Sequence, residues 1–248
     1  MISFKGKSKE YEEIVVKLGD LVITNRHLFT CLAELLNECN RLRKFDEETL
    51  ELITEDKRDD VDVDESQLDL LITLIKDLYD LQDEETFGKR KGDLVEFITL
   101  KLGAINFETN SNLETALECE VFHNDDKIAD NNEKKGKDID VAIYDKTSLS
   151  QLENVMADLY ECKADIDNFL YVVQGKTPPI KTKHYEKLKF LEDVRDYFQL
   201  SQKFFVSLVT PVSNVERAKE VLKLCNFHNI KVINKEHIEE VIEKLIHI

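Results

Sequence analysis

The stretch GKDIDVAIYD, residues 136–145, sets a short apolar run (Val141, Ala142, Ile143) directly behind two aspartates, Asp138 and Asp140. An apolar run of this length after a polar loop reads as a buried β-strand. Burying a carboxylate costs free energy unless a partner meets it. A second stretch, LYECKAD at 159–165, ends another apolar run in an acid and a lysine. Period-two alternation puts Glu161 and Lys163 on one face of that strand and Tyr160, Cys162 and Ala164 on the other. The same alternation groups Asp138 with Asp140 and sets Ile139, Val141 and Ile143 on the opposite, buried face. Neighbouring strands would bring an aspartate, a glutamate and a lysine to one edge, where Glu96, on a helix read over 94–102, can join them.

The acid-x-lysine triplet is common in a chain this charged. It begins at Glu55, Asp125, Glu133 and Glu161, and only the last closes an apolar strand-like run. Alone, Glu161 and Lys163 would also suit an exposed ion pair on an edge strand. With Asp140 beside them the grouping has a chemical logic. Adjacent carboxylates repel one another, more so when buried. A hard divalent cation relieves this through oxygen ligands and retains waters. A water on such an ion is easier to deprotonate, and a lysine supplies positive charge where a scissile phosphate gains negative charge.

Glu96 on a helix, then GKDIDVAIYD, then YECKAD, then a tail of alternating helices and strands, resembles the PD-(D/E)XK nuclease superfamily. This is the restriction-endonuclease-like fold of restriction enzymes, resolvases and recombination nucleases. The resemblance covers residues 87–200 and leaves 1–86 outside it. It implies a metal-dependent nuclease hydrolysing phosphodiester bonds, in DNA ahead of RNA, with Mg²⁺ or Mn²⁺ as cofactor and defence or restriction as a setting. It implies Asp140, Glu161 and the Cys162 backbone carbonyl as metal ligands, Glu96 in support, and Lys163 orienting the attacking water or stabilising the transition state. Asp140 is favoured over Asp138 because it abuts the apolar run; Asp138 suits a turn. No proline precedes Asp140, and the gap to Glu161 is long enough to hold an extra segment, 146–156. The following helix offers Lys181, Lys183, His184 and Lys187 without singling one out. Cutting both strands of a duplex would favour a homodimer.

Working outward, FGKRKGDLVEFITLKLGA (87–104) reads as a basic turn between Gly88 and Gly92, then a helix capped by Asp93 that buries Leu94, Val95, Ile98 and Leu102. LETALECEVF (113–122) alternates Leu117, Cys119 and Val121 against Glu118 and Glu120, a half-buried strand. HNDDKIADNNEKKGK (123–137) reads as a long polar loop. After Pro178-Pro179 come a helix at 184–198, a strand at 203–211, a helix, a short strand IKVIN and a closing helix. Alternation of this kind predicts an α/β (α+β) unit, a mixed sheet flanked by helices, over 87–248. Residues 1–86 carry apolar residues at three- and four-residue spacing and read as an acidic helical N-terminal domain.

The chain has 248 residues, 42% hydrophobic and 34% charged, long enough for a sizeable core. Its net charge is −17, whereas nucleic-acid binders are usually basic. Residues 1–87 hold 11 basic against 23 acidic side chains, a net of −12, so the remainder carries only −5. The basic clusters GKRKG, NEKKGK and KTKHYEKLK lie in that remainder. This asymmetry keeps a rival reading open: a catalytically inactive nuclease-fold scaffold that binds a protein partner through the acidic helical half. The five cysteines are scattered with no CxxC pair, so reduced thiols are expected rather than zinc or disulfides. No apolar run approaches membrane-spanning length and the N-terminus lacks a signal-peptide core, which predicts a cytoplasmic protein without membrane contact.

Overall fold

The computed structural model describes residues 2–58, 63–107, 113–124, 126–128, 138–151, 155–198 and 203–246. The basic cluster at 132–137, and with it Gly136 and Lys137, lies outside them. A strand, β1 (Ile2–Lys5), opens the chain. Helices α1 (Glu13–Val22), α2 (Arg26–Glu38), α3 (Glu47–Arg58), α4 (Glu65–Tyr79) and α5 (Glu84–Leu102) follow, with a 3-10 turn at Leu42–Lys44. Next come β2 (Leu113–His123), β3 (Asp126–Lys127), β4 (Ile139–Asp145), α6 (Lys146–Gln151), β5 (Met156–Cys162) and α7 (Ile166–Phe169). The chain closes with α8 (Thr182–Tyr197), β6 (Lys203–Val209), α9 (Glu216–Leu224), β7 (Ile230–Ile233) and α10 (Lys235–Ile246).

The strands form one mixed sheet in the order β1-β2-β4-β5-β6-β7, with β3 paired to β2. The β1–β2, β2–β4 and β4–β5 pairs are antiparallel, and the β5–β6 and β6–β7 pairs are parallel. The fold is thus α/β (α+β), a seven-stranded mixed sheet flanked by helices. Helices α7, α8 and α9 cover one face through Phe169, Leu188, Leu191, Val221 and Leu222. Helices α1 to α5 and α10 cover the other, where Val141, Ile143, Tyr160 and Cys162 join Leu18, Phe29, Leu71, Val95, Ile98 and Ile242 in one cluster.

The structure draws the expected line at residue 86 differently. Residues 2–5 are a sheet strand, too short for its alternation to be told from a loop. The helical half shares its core with the sheet, and α5 crosses residue 86 without a break. The basic turn at Gly88–Gly92 is also corrected, because both glycines lie inside α5. Asp83 caps that helix by accepting from Thr86 N at 2.7 Å, and Glu84 and Glu85 in the first turn suit its dipole. Burial of Phe87, Leu94, Val95 and Ile98 outweighs the weak helix propensity of glycine. The helix stops at Gly103, whose φ of +77° favours glycine. On α1, Gly19 lets the Phe97 ring approach so closely that a Cβ would sit 2.4 Å from it. Gly88 is the opposite case: it is exposed, and a Cβ on it would meet nothing within 4 Å. Gly88→Ala should therefore stabilise the protein by about 1 kcal/mol, seen as a higher urea midpoint at unchanged slope.

The alternation expected in β2 breaks at Glu118, whose φ is +41°. Leu117 packs on the α5 side, whereas Cys119 and Val121 pack on the α8 side. β4 shows the same change, with Val141 and Ile143 on one side and Ile139, against expectation, on the other. Asp140 lies at this crossover, opposite Glu118 in the register between Leu117↔Val141 and Cys119↔Ile139.

In mid-strand β5, fully buried Asp158 ties down the link after α5. Its Oδ2 accepts from Ile105 N at 3.1 Å, from Asn106 N at 2.8 Å and from the Tyr160 hydroxyl, and Oδ1 accepts from Asn106 Nδ2 at 2.7 Å.

Candidate active site

The β4–β5 register pairs Val141 with Tyr160, which sets Asp140 across from Glu161. Cys162 N donates to Asp140 Oδ2 at 2.8 Å and fixes that carboxylate at the end of β5. Lys163 follows immediately, its own N–H bound to Val209 O at 2.8 Å. Its Nζ lies 2.7 Å from Glu161 Oε1, 3.3 Å from Asp140 Oδ2 and 3.0 Å from the Cys162 carbonyl oxygen. The three residues expected to converge do so. Of Lys181, Lys183, His184 and Lys187, the structure brings Lys187 to the cluster, 2.8 Å from Glu161 Oε2 and donating to the Asp138 carbonyl. Lys187 reaches the cluster because α8 packs over the end of the sheet, a placement that sequence spacing does not encode.

Burial and the neighbouring Asp140 push the Glu161 carboxyl above its usual range, against the pull of Lys163 and Lys187. Burial alone would depress the Lys163 ammonium, but Glu161 and Asp140 hold it above the usual lysine range. Lys187 behaves in the same way. Such mutual displacement is what a closed ionic cluster at low dielectric produces.

Glu96 lies on the α5 side, close enough to Asp140 for their charges to interact. Its own partners come from outside the expected set. Lys9 Nζ sits 2.8 Å from Glu96 Oε2, 2.9 Å from Asp93 Oδ1 and 3.4 Å from Glu118 Oε1. The Tyr11 hydroxyl donates to Glu96 Oε1 at 2.7 Å. Lys9 and Tyr11 stand on the link between β1 and α1, where KGKSKEYEE carries no motif that would mark them. Asp93, expected as a helix cap, is instead a mid-helix partner for Lys9 and Lys89. Glu118, expected to face solvent, pairs with Lys7 and Lys9. Asp138 is held by Lys7 at 2.7 Å and stays apart from the Asp140–Glu161 pair. Burial raises the Glu96 carboxyl, and Lys9 and Tyr11 lower it. Lys9→Met should therefore move the Glu96 titration further upward, measured by carboxyl-carbon NMR across a pH series.

The donors fit a hard cation in kind. Asp140, Glu161 and the Cys162 carbonyl are all oxygen ligands, the class Mg²⁺ and Mn²⁺ prefer. Glu161 Oε2 is buried without an aligned hydrogen bond despite its closeness to Lys187, so it has a lone pair to give. Among the described residues, no three side chains of His, Cys, Asp and Glu converge closely enough to hold a metal by themselves. The set is two carboxylates and a carbonyl, with Glu96 engaged by Lys9. All five cysteines are buried free thiols, and no helix among the described residues is long and apolar enough to cross a membrane.

A scan against protein-family models finds no match, and a search of curated proteins finds none either. Among solved structures, the chain is similar to the crystal structure of protein VC1899 from Vibrio cholerae. The two are 13% identical, with a TM-score of 0.40, over 99% of this chain and 58% of the other. The chain thus spans less than two thirds of the length of that neighbour.

Proposed function

We propose that the protein is a metal-dependent nuclease of the PD-(D/E)XK type that hydrolyses phosphodiester bonds, in DNA ahead of RNA. One observation carries this reading. Asp140, Glu161 and Lys163 meet at adjoining strand ends, with the lysine ammonium 2.7 Å from one carboxylate and 3.3 Å from the other. Asp140, Glu161 and the Cys162 carbonyl would hold Mg²⁺ or Mn²⁺, with Glu96 in support. The cation supplies charge neutralisation at the scissile phosphate and a more acidic water. The chain's own residues do the rest. Lys163 holds a proton at Nζ throughout the neutral range and places positive charge where the phosphate gains negative charge. Lys187 lies 2.8 Å from Glu161 Oε2 and opposes the upward shift that burial gives the carboxyl. The Cys162 amide locks the Asp140 carboxylate in place, which lowers the reorganisation needed during reaction.

The rival scaffold reading draws on the way Lys9 and Tyr11 close over Glu96. In a retired site this pairing would serve stability alone, and the acidic helices would face a protein partner. The deciding experiment incubates the protein with plasmid, linear and single-stranded DNA, and with RNA, in Mg²⁺, Mn²⁺ or EDTA. Cutting in metal and none in EDTA is the expected result. Intact substrate under every condition would sink the nuclease and favour the scaffold.

A further inference from the structure

Beside the ionic cluster runs a groove of about 410 Å³ bounded by α5, the link from α2 to the 3-10 turn, and the loop after β5. Lys163 lines it at one end. So does Lys91, a residue with no role in the cluster. Lys91 is 6% exposed, yet among the described residues no carboxylate pairs with it. Its Nζ donates to the Asn40 carbonyl at 2.5 Å and lies 4.7 Å from the Phe87 ring. An ammonium has three donors, and Nζ spends one of them on the Asn40 carbonyl. Burial lowers its pKa, and the charges of Asp165 and Glu84 oppose that shift.

Two carboxylates also line the groove; each accepts from a backbone amide, and the charge of each still acts on Lys91. Glu84 accepts from Leu42 N at 3.2 Å and Asp165 from Asn168 N at 2.9 Å. Arg41 adds a further cation to the lining. The floor is Gly88 and Gly92, one turn apart on α5, and a Cβ on either would meet nothing within 4 Å. Each glycine costs the helix about 1 kcal/mol relative to alanine, and nothing in the packing requires either one. What they provide is open space beside a buried ammonium.

We propose that this groove takes a phosphate of a polynucleotide backbone, with Lys91 as the buried ammonium contact and the Gly88–Gly92 face of α5 as the surface along which the strand lies. The proposal rests on the nuclease reading for the identity of the strand. It places a non-reacting phosphate next to the scissile one and positions the strand toward Lys163.

The test is binding of fluorescein-labelled single-stranded DNA, followed by anisotropy over a salt series, in EDTA so that the strand stays intact. Lys91→Met keeps the aliphatic stem and removes the charge. Gly88→Glu puts a carboxylate in the groove on an exposed helix face with no steric clash, so the fold survives it. Each variant should weaken binding about tenfold. Lys91→Met should also reduce the slope of log affinity against log salt by about one, a change that a purely structural role would not produce. Inorganic phosphate at matched ionic strength should weaken strand binding to the wild type more than to Lys91→Met; an equal effect on the two proteins would show that the strand does not occupy the groove at Lys91, and the proposal is overturned. Unchanged affinity and slope in both variants overturns it too, as does a wild-type protein that binds no strand. Binding weakened by the variants in a protein that never cuts sinks the nuclease and leaves the groove standing. Cutting by a protein whose variants bind normally does the reverse.

Discussion

Lys163→Ala should lower metal-dependent DNA cleavage by about two to three orders of magnitude, the loss typical when one preorganised charge at a developing oxyanion is removed. The reason is geometric. Lys163 is the residue whose ammonium lies between Asp140 and Glu161, at 3.3 and 2.7 Å, and β5 delivers it there through the bond from its N–H to Val209 O. The fold should survive, because Lys187 still sits 2.8 Å from Glu161. Lys163→Arg should restore only part of the rate, since the planar guanidinium does not occupy the position of a compact ammonium. A second readout separates lost chemistry from lost structure. Without Lys163 the Glu161 carboxyl, already raised by burial, moves further up. Between the ordinary carboxylate value and the raised one, the folded state holds a proton that the unfolded state has released. Stability therefore falls as pH rises through that window, and the variant should show the steeper fall in chemical denaturation. Normal cleavage by Lys163→Ala would remove the basis for the proposed function.

Asp158→Ala should be the most damaging single substitution for stability, at about 3–5 kcal/mol, the range for uncovering buried charge-assisted partners. Asp158 is fully buried in a central strand, and its two oxygens take hydrogen bonds from two backbone amides, an asparagine side chain and a tyrosine hydroxyl. Alanine takes the carboxylate acceptor from Asn106 N and the Tyr160 hydroxyl, while Ile105 N keeps the Tyr160 oxygen at 2.7 Å and Asn106 Nδ2 keeps Ser207 Oγ at 3.1 Å. Asp158→Asn should recover little, since either orientation of the amide turns an NH₂ group toward at least one of these donors. Because the network anchors the link between α5 and β2, its loss should also loosen Glu96 relative to Asp140. Equilibrium urea denaturation checks the first effect. Hydrogen exchange at Ile105 and Asn106 checks the second. A midpoint close to wild type in Asp158→Ala would show that the network is dispensable.

By itself, the sequence determined what is local or carried by periodicity. The strands at 139–145 and 156–162 follow from continuous apolar runs, the alternation of helix and strand after Pro179 predicts the mixed sheet, and the spacing of acid and lysine around Cys162 marks one end of β5. Asp140, Glu161 and Lys163 are legible because each stands at the end of an apolar run and the two runs pair as neighbouring strands, although the alternation itself breaks at Asp140. Tertiary structure decided the rest. That residues 2–5 join the sheet depends on pairing with β2 more than a hundred residues later, and four residues carry too little pattern to announce it. That α5 runs unbroken through Gly88 and Gly92 reflects burial overriding propensity. Lys9, Tyr11 and Lys187 enter the cluster from links and helices far away in the chain. A charged side chain looks the same in sequence whether it faces water or a buried carboxylate, and only packing distinguishes the two.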